Sequence, residues 1–144
     1  MGIIVLGMHR SGTSAITRLL SLMGAHLGPE EGLAEPAADN PAGFWERLDV
    51  RRANDRLLAA QGCSWVYCLD VDLNERVASE TAQLAWSARK IIGELDERSP
   101  WVLKDPRFSL TLDAWLPYLE DPLCVFVHRD PLASALSLRK RNEI

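Results

Sequence analysis

Apolar residues along the chain form short continuous runs separated by longer stretches in which they recur at helical spacing. The runs over residues 3–6, 100–103 and 123–127 are typical of buried strands, because they lack polar interruptions. A further short strand is predicted over residues 25–27. Helices are predicted over residues 12–23, 47–61, from Asp72 or Asn74 to 96, 110–116 and 131–141.

Alternation of strands and helices indicates an α/β fold with a parallel sheet and right-handed crossovers. We expect a P-loop-type parallel β-sheet flanked by helices in three layers, α/β/α. The chain of 144 residues predicts a single domain over residues 1–144. Residues 35–43 are rich in Pro, Ala, Asp, Asn and Gly and predict an irregular loop, while residues 64–67 fit either a strand or a loop.

Composition narrows the possible classes of protein. The net charge of −4 argues against a general nucleic-acid binder, which is usually basic. The first apolar run is too short for a membrane span or a signal peptide. Three cysteines form no metal-binding pattern and predict reduced thiols in a cytoplasmic protein, with Cys124 as a core residue of its strand.

The first strand runs into the segment Gly7-Met8-His9-Arg10-Ser11-Gly12-Thr13-Ser14, which opens the first helix. Such a turn aims backbone N–H groups and the positive end of a helix dipole at one point, which favours an anion. The spacing of the glycines is that of a triphosphate-binding loop, but the lysine that would follow Gly12 is absent. The charge lies instead at Arg10, beside the hydroxyls of Ser11, Thr13 and Ser14.

Polar residues also follow the two later strands. Lys104-Asp105-Pro106-Arg107 follows one of them, and His128-Arg129-Asp130-Pro131 follows the other. Ligands of open parallel sheets bind beyond the carboxyl ends of the strands, so these segments are expected at one edge. Ser137, eight residues after Arg129, can face the same point from the last helix.

In combination these motifs resemble the sulfotransferase family, whose donor is 3′-phosphoadenosine 5′-phosphosulfate (PAPS). The loop is similar to the R-S-G-T-[ST] segment of the family, and Arg129-Asp130-Pro131 with Ser137 is similar to its second phosphate motif. Lys104-Asp105-Pro106 looks like the K-D-P segment of tyrosylprotein sulfotransferases. The segment from Gly43 to Glu46 looks like a G-[FY]-W-E segment of bacterial members.

The resemblance implies roles for individual residues. Five residues would hold the 5′-phosphosulfate, namely Arg10, Ser11, Gly12, Thr13 and Ser14. Arg129 and Ser137 would hold the 3′-phosphate, and Lys104 would neutralise the leaving phosphate. No metal is expected, because a sulfuryl group carries less charge than a phosphoryl group.

The general base has three candidates. Counting from Arg10 as in tyrosylprotein sulfotransferases leads to Glu31. Glu46 is the rival, and Asp105 is a third possibility. The acceptor would be a small molecule, a carbohydrate or a peptide bearing a hydroxyl or an amine, with Phe44 and Trp45 as apolar walls of its pocket.

Members of the family usually continue well past the last helix, so we expect a C-terminally truncated chain with exposed apolar patches and self-association. One alternative is therefore a non-catalytic nucleotide-binding remnant. Another is a P-loop kinase for nucleotides or small molecules, against which the missing lysine and the lack of a clear Mg²⁺ site argue.

Overall fold

The computed structural model describes residues 1–68 and 78–142. Its sheet has three parallel strands, β1 (Gly2–Leu6), β2 (Trp101–Lys104) and β3 (Leu123–Phe126), in the order β2-β1-β3. The register pairs Ile4 of β1 with Leu103 on one side and with Cys124 on the other. The α/β fold with a parallel sheet is therefore confirmed.

Helices cover both faces of this sheet. They are α1 (Thr13–Leu22), α2 (Leu48–Ala59), α3 (Ala78–Asp96), α4 (Phe108–Trp115) and α5 (Pro131–Asn142), with short 3-10 helices at Glu30–Gly32 and Leu116–Tyr118. Helices α2, α3 and α4 bury apolar residues against Ile4 and Leu103. Helix α1 packs on the other face with Ile3 and Val5, because neighbouring strand residues point to opposite faces. The predicted three layers follow from this arrangement.

Some boundaries differ from the prediction. Residues 25–27 contribute one parallel bridge from His26 to Trp101 rather than a strand. Helix α4 begins two residues earlier than predicted, because Asp105 organises its first turn. The Asp105 carboxylate accepts the Arg107 N–H at 2.8 Å and its carbonyl accepts the Phe108 N–H at 3.0 Å.

Two further predictions concern the connection between α2 and α3. Ser64 donates its backbone N–H to the Tyr67 carbonyl at 2.8 Å, so residues 64–67 form a turn and the strand alternative is wrong. The predicted start of α3 at Asp72 or Asn74 lies outside the described residues.

Strand β3 is far more exposed than the other two strands. Leu123 and Phe126 are 52% and 70% exposed. The prediction of Cys124 as a core residue is wrong, because its side chain is exposed. Strand β3 packs mainly against β1, whereas β2, which also lies at an edge of the sheet, is covered by helices and buried. Helix α5, which follows β3, also exposes Leu132 and Leu136. The expected apolar patch is present at this edge, and self-association stays a prediction.

No helix within the described ranges combines the length and the apolar character needed to cross a membrane.

Candidate functional site

The loop between β1 and α1 forms an open helix N-terminus. Gly12 precedes α1 with φ of 104°, a left-handed conformation that favours glycine, and no side chain caps the helix. The Ala15 and Ile16 N–H groups both donate to the Gly12 carbonyl. Within the described residues, the N–H groups of Gly12, Thr13 and Ser14 have no acceptor. These three donors and the helix dipole can receive an anion.

The same loop is packed tightly against the end of the sheet. A Cβ atom added at Gly7 would lie 2.6 Å from the Val127 carbonyl oxygen and 2.9 Å from Ser11 Oγ. Ser11 Oγ is buried and has no hydrogen-bond partner in the described part of the chain. This hydroxyl, buried beneath an open helix N-terminus, is a further donor that could serve an anion bound at the loop.

Lys104, at the end of β2, connects the loop with a carboxylate. Its Nζ donates to Glu46 Oε1 at 2.6 Å and to Ser14 Oγ at 3.2 Å. The side chains of Lys104 and Glu46 are 1% and 8% exposed. Burial lowers the pKa of the Lys104 ammonium, while the Glu46 carboxylate acts in the opposite direction. One buried cation therefore lies between the start of α1 and a carboxylate from the segment after residue 43.

Arg10 and Arg129 join the loop to the region after β3. Arg10 adopts φ of 67°, and its Nε donates to Ser137 Oγ on α5 at 3.1 Å. Arg129 Nη1 donates to the Arg10 carbonyl at 2.9 Å. Arg10 also meets Asp39, with Nη1 3.6 Å from Oδ2. Two arginines and a hydroxyl, predicted from motifs more than a hundred residues apart, thus come together at one edge of the sheet.

A cavity of about 260 Å³ lies above the loop. Its lining includes most of the residues predicted from the motifs, together with several that were not: His9, Arg10, Gly12, Thr13, Ser14, Ala15, Asp39, Asn40, Phe44, Glu46, Lys104, Pro106, Arg129 and Arg141. We call it the donor cavity. Ser137 is joined to it through Arg10, and Ser11 lies beneath it.

The three candidates for the general base are placed very differently. Glu46 lines the donor cavity. Glu31 is exposed on the 3-10 helix Glu30–Gly32 and is not among the residues lining this cavity. Asp105 is fully buried and accepts Arg107 Nη1 at 3.1 Å. Burial raises the pKa of the Asp105 carboxyl, although Arg107 acts against it. Of the three, Glu46 alone lies beside the loop.

Phe44 and Trp45, which were expected to form apolar walls of the acceptor pocket, line two different cavities. Phe44 lines the donor cavity, and its carbonyl accepts Ser14 Oγ at 3.2 Å. Trp45 points to another cavity of about 690 Å³ near Arg18, whose guanidinium lies 4.5 Å from the Trp45 ring centroid. These neighbours cannot be separated by sequence pattern alone, because the turn between them depends on the positive φ of 58° at Trp45.

His9 is a site residue that the motif comparison did not identify. It lies inside the loop and lines the donor cavity, and its ring centroid is 5.1 Å from that of Trp65. Burial and then the positive charges of Arg107, Arg141, Lys104 and Arg51 lower the pKa of His9 to about 4. The imidazole is therefore neutral at neutral pH. In the sequence, only the position of His9 within the loop between Gly7 and Gly12 indicates that it belongs to the site.

The fold is that of an α/β protein, and the loop presents open N–H groups at the carboxyl edge of a parallel sheet. The family model described as Sulfotransferase family matches residues 2–142, and the chain therefore belongs to the sulfotransferase family. Searches of curated proteins and of solved structures gave no match. Within residues 1–68 and 78–142, no group of three or more His, Cys, Asp or Glu side chains is arranged to hold a metal ion.

Proposed function

We propose that this chain transfers a sulfuryl group from PAPS to a hydroxyl or an amine. The observation that carries the proposal is the contact between two distant anion-binding elements. Arg10 bonds Ser137 at 3.1 Å, and Arg129 bonds the Arg10 carbonyl at 2.9 Å. PAPS carries anionic groups at two separate positions, so a protein that binds it needs two linked anion sites.

The residues present fit such a donor. The open N–H groups of Gly12, Thr13 and Ser14 and the orphaned Ser11 hydroxyl suit the 5′ group. The exposed guanidinium of Arg129 suits a phosphate, because its planar fork can donate to two oxygens at once. This division supports assigning the 3′-phosphate to the side of the site after β3.

Bound PAPS would supply the sulfuryl group. Lys104 can donate to the phosphate oxygen that becomes negative as the sulfur–oxygen bond to the donor breaks, because its Nζ already bonds a hydroxyl at the start of α1. Glu46 accepts the proton of the acceptor hydroxyl or amine as the new bond to sulfur forms. We favour Glu46 over Glu31 as this base because Glu46 lines the donor cavity.

The pairing of Glu46 with Lys104 has a chemical use in this scheme. While the ammonium bonds Glu46 at 2.6 Å, the carboxylate is held in place beside the loop. When Lys104 turns towards the leaving oxygen, the Glu46 carboxylate is left to accept the proton of the acceptor. The two steps of charge neutralisation and proton removal would then be linked through one side chain.

Calorimetric titration of the purified chain with adenosine 3′,5′-bisphosphate, AMP and Mg²⁺-ATP tests the donor assignment. We expect the bisphosphate to bind best without metal. Arg129→Ala should weaken the bisphosphate by roughly tenfold or more and AMP much less, since a hydrogen bond to a charged group contributes about 1.5–3 kcal/mol. Arg139→Ala, an exposed arginine on the same helix as Ser137, serves as the matched control and should change neither.

Equal losses of both ligands in Arg129→Ala would contradict the 3′-phosphate assignment. A preference for Mg²⁺-ATP would instead favour a kinase, and binding of the bisphosphate without any turnover would favour a nucleotide-binding remnant.

A further inference from the structure

A second cavity of about 520 Å³ adjoins the donor cavity. The two cavities share the residues His9, Asp39, Phe44, Glu46 and Arg141. From these shared residues the second cavity extends towards α2 and the turn after it, where Arg51, Arg107 and Trp65 complete its wall. Its volume lies within the range of small-molecule sites, roughly 300–1,000 Å³.

Glu46 lies at the junction between the cavities. A molecule in the second cavity could therefore present a hydroxyl to the Glu46 carboxylate while the donor occupies the first. Transfer between two bound molecules needs both to be held side by side at one base, and the shared wall provides such a position.

Three arginines and two acidic residues line the second cavity, so positive side chains outnumber negative ones on its wall. Three of the four cations that lower the pKa of His9 are arginines that line it, namely Arg107, Arg141 and Arg51. The positive charge of Arg107 is balanced by carboxylates, since its guanidinium bonds Asp55 at 2.6 Å and Asp105 at 3.1 Å. Two carboxylates also line this cavity: Glu46 bonds Lys104, and Asp39 lies near Arg141. Among the arginines of the wall, Arg51 therefore differs from Arg107 and Arg141 in its ion pairing.

Arg51 and Arg141 are held differently. Arg141 lies with its guanidinium 5.0 Å from the Trp65 ring centroid, and its Nε is 3.9 Å from Asp39 Oδ2. Trp65 thus lies beside Arg141 at the cavity wall, in position for a cation–π contact. Arg51 is exposed on α2, and no carboxylate of the described residues lies within ion-pair distance of it. An arginine without an acidic partner at the mouth of a cavity is well placed to receive an anionic group.

We propose that the second cavity is the acceptor site and that it selects acceptors with an anionic group, bound by Arg51 and Arg141, beside the hydroxyl that reacts at Glu46. The proposal rests on the proposed sulfotransferase function. The ligand class is a small molecule about the size of a monosaccharide glycoside that carries a carboxylate, sulfate or phosphate. A neutral acceptor would leave the Arg51 charge without a partner at the mouth of the cavity.

A matched pair of probes tests this selection. Phenyl β-D-glucuronide and phenyl β-D-glucoside differ by one carboxylate, and both carry hydroxyl groups. Each is titrated by calorimetry into the full chain saturated with adenosine 3′,5′-bisphosphate. We expect the glucuronide to bind roughly tenfold more tightly, because a charged hydrogen bond to Arg51 adds to its affinity. In Arg51→Ala the preference should fall to about twofold or less.

Arg52→Ala provides the control variant. Arg52 is the exposed neighbour of Arg51 on α2 and does not line the cavity, so its removal should leave the preference intact. Bisphosphate binding should be unchanged in both variants, since neither arginine lines the donor cavity.

The outcomes separate the two proposals. Equal affinity for the two glycosides, no binding of either, or a preference that survives Arg51→Ala would each overturn the anionic-acceptor proposal while the bisphosphate titration still supports the donor site. If the bisphosphate fails to bind, the proposed function fails. The glycosides titrated into the ligand-free chain then still report whether the second cavity selects an anion.

Discussion

The two sides of the donor cavity differ sharply in burial. On the β2 side, Lys104 and Asp105 are 2% and 0% exposed, and each is engaged with an oppositely charged partner. On the β3 side, Arg129 is exposed, and its bond to the Arg10 carbonyl is made at the surface. The buried side is fixed by the packing of the sheet and α4, whereas the exposed side is fixed by few contacts.

This difference separates stability from binding. A change on the buried side leaves a charge without a partner in the interior and should therefore affect folding as well as activity. A change on the exposed side removes a group that water can replace, so it should affect ligand binding with little effect on folding.

The largest effect is expected from Lys104→Ala, which leaves the Glu46 carboxylate buried without its cation. We expect the free energy of unfolding to fall by about 3–5 kcal/mol, the usual cost of removing one partner of a buried ion pair. Urea denaturation measures it, with Lys140→Ala on the exposed end of α5 as the control. The double variant Lys104→Met with Glu46→Gln should recover part of the loss. A loss below about 1 kcal/mol would show that the pair is solvated.

A second expectation concerns activity and compares two carboxylates. Glu46→Gln removes the proposed base and should lower kcat by about 10²–10⁴-fold, the usual contribution of general base catalysis. Glu31→Gln, on the exposed 3-10 helix, should lower it by about twofold or less. Sulfate transfer from PAPS to an acceptor, followed as release of the bisphosphate, measures both. The reverse order of effects would reassign the base to Glu31.

The free energy of unfolding should depend on pH through His9, which lines the donor cavity. Its pKa is lowered from 6.5 to about 4, so the unfolded chain binds a proton at a higher pH than the folded chain does. Stability from this group is fully present above about pH 6.5 and is lost as the pH falls towards 4. The loss should amount to roughly 2–3 kcal/mol.

In His9→Gln the free energy of unfolding should fall less steeply with decreasing pH, as measured by urea denaturation between about pH 4 and 7. The control is His128→Gln, which replaces an exposed histidine after β3 and should leave this pH dependence unchanged. If the pH dependence is the same in His9→Gln as in the unmodified chain, the pKa of His9 is not lowered by folding.

The smallest effect is expected from Arg129→Ala on stability. The side chain is exposed and makes one surface hydrogen bond, so the free energy of unfolding should change by about 0.5 kcal/mol or less. Thermal unfolding without ligand measures it. A large loss would show that the two sides of the site do not differ in the way their burial indicates, and that Arg129 holds the loop in place.

Much of this architecture is predictable from the sequence because its signals are local. The apolar runs of β1 and β2 and the stripe of Leu84, Ala88, Ile91 and Leu95 on α3 are periodic patterns that burial confirms. Pro131 and Asp130 mark the start of α5, where the Asp130 carboxylate accepts the Ala133 N–H at 2.8 Å.

The contacts that build the site could not be predicted in this way. The bond of Lys104 to Glu46 joins residues 58 positions apart, and no local pattern specifies it. The exposure of Cys124 likewise depends on which strands the helices cover, since the two outer strands β2 and β3 differ in burial. A run of apolar residues looks the same in a covered strand as in an uncovered one.

The bond between Arg129 and the Arg10 carbonyl has a consequence for the order of events during protein synthesis. The loop leaves the ribosome before the partners that complete its site, which lie 119 and 127 positions later. The nascent chain therefore carries an unfinished site until those residues have been made. A ligand that needs both anion-binding elements can stabilise the fold only after β3 and α5 have been made.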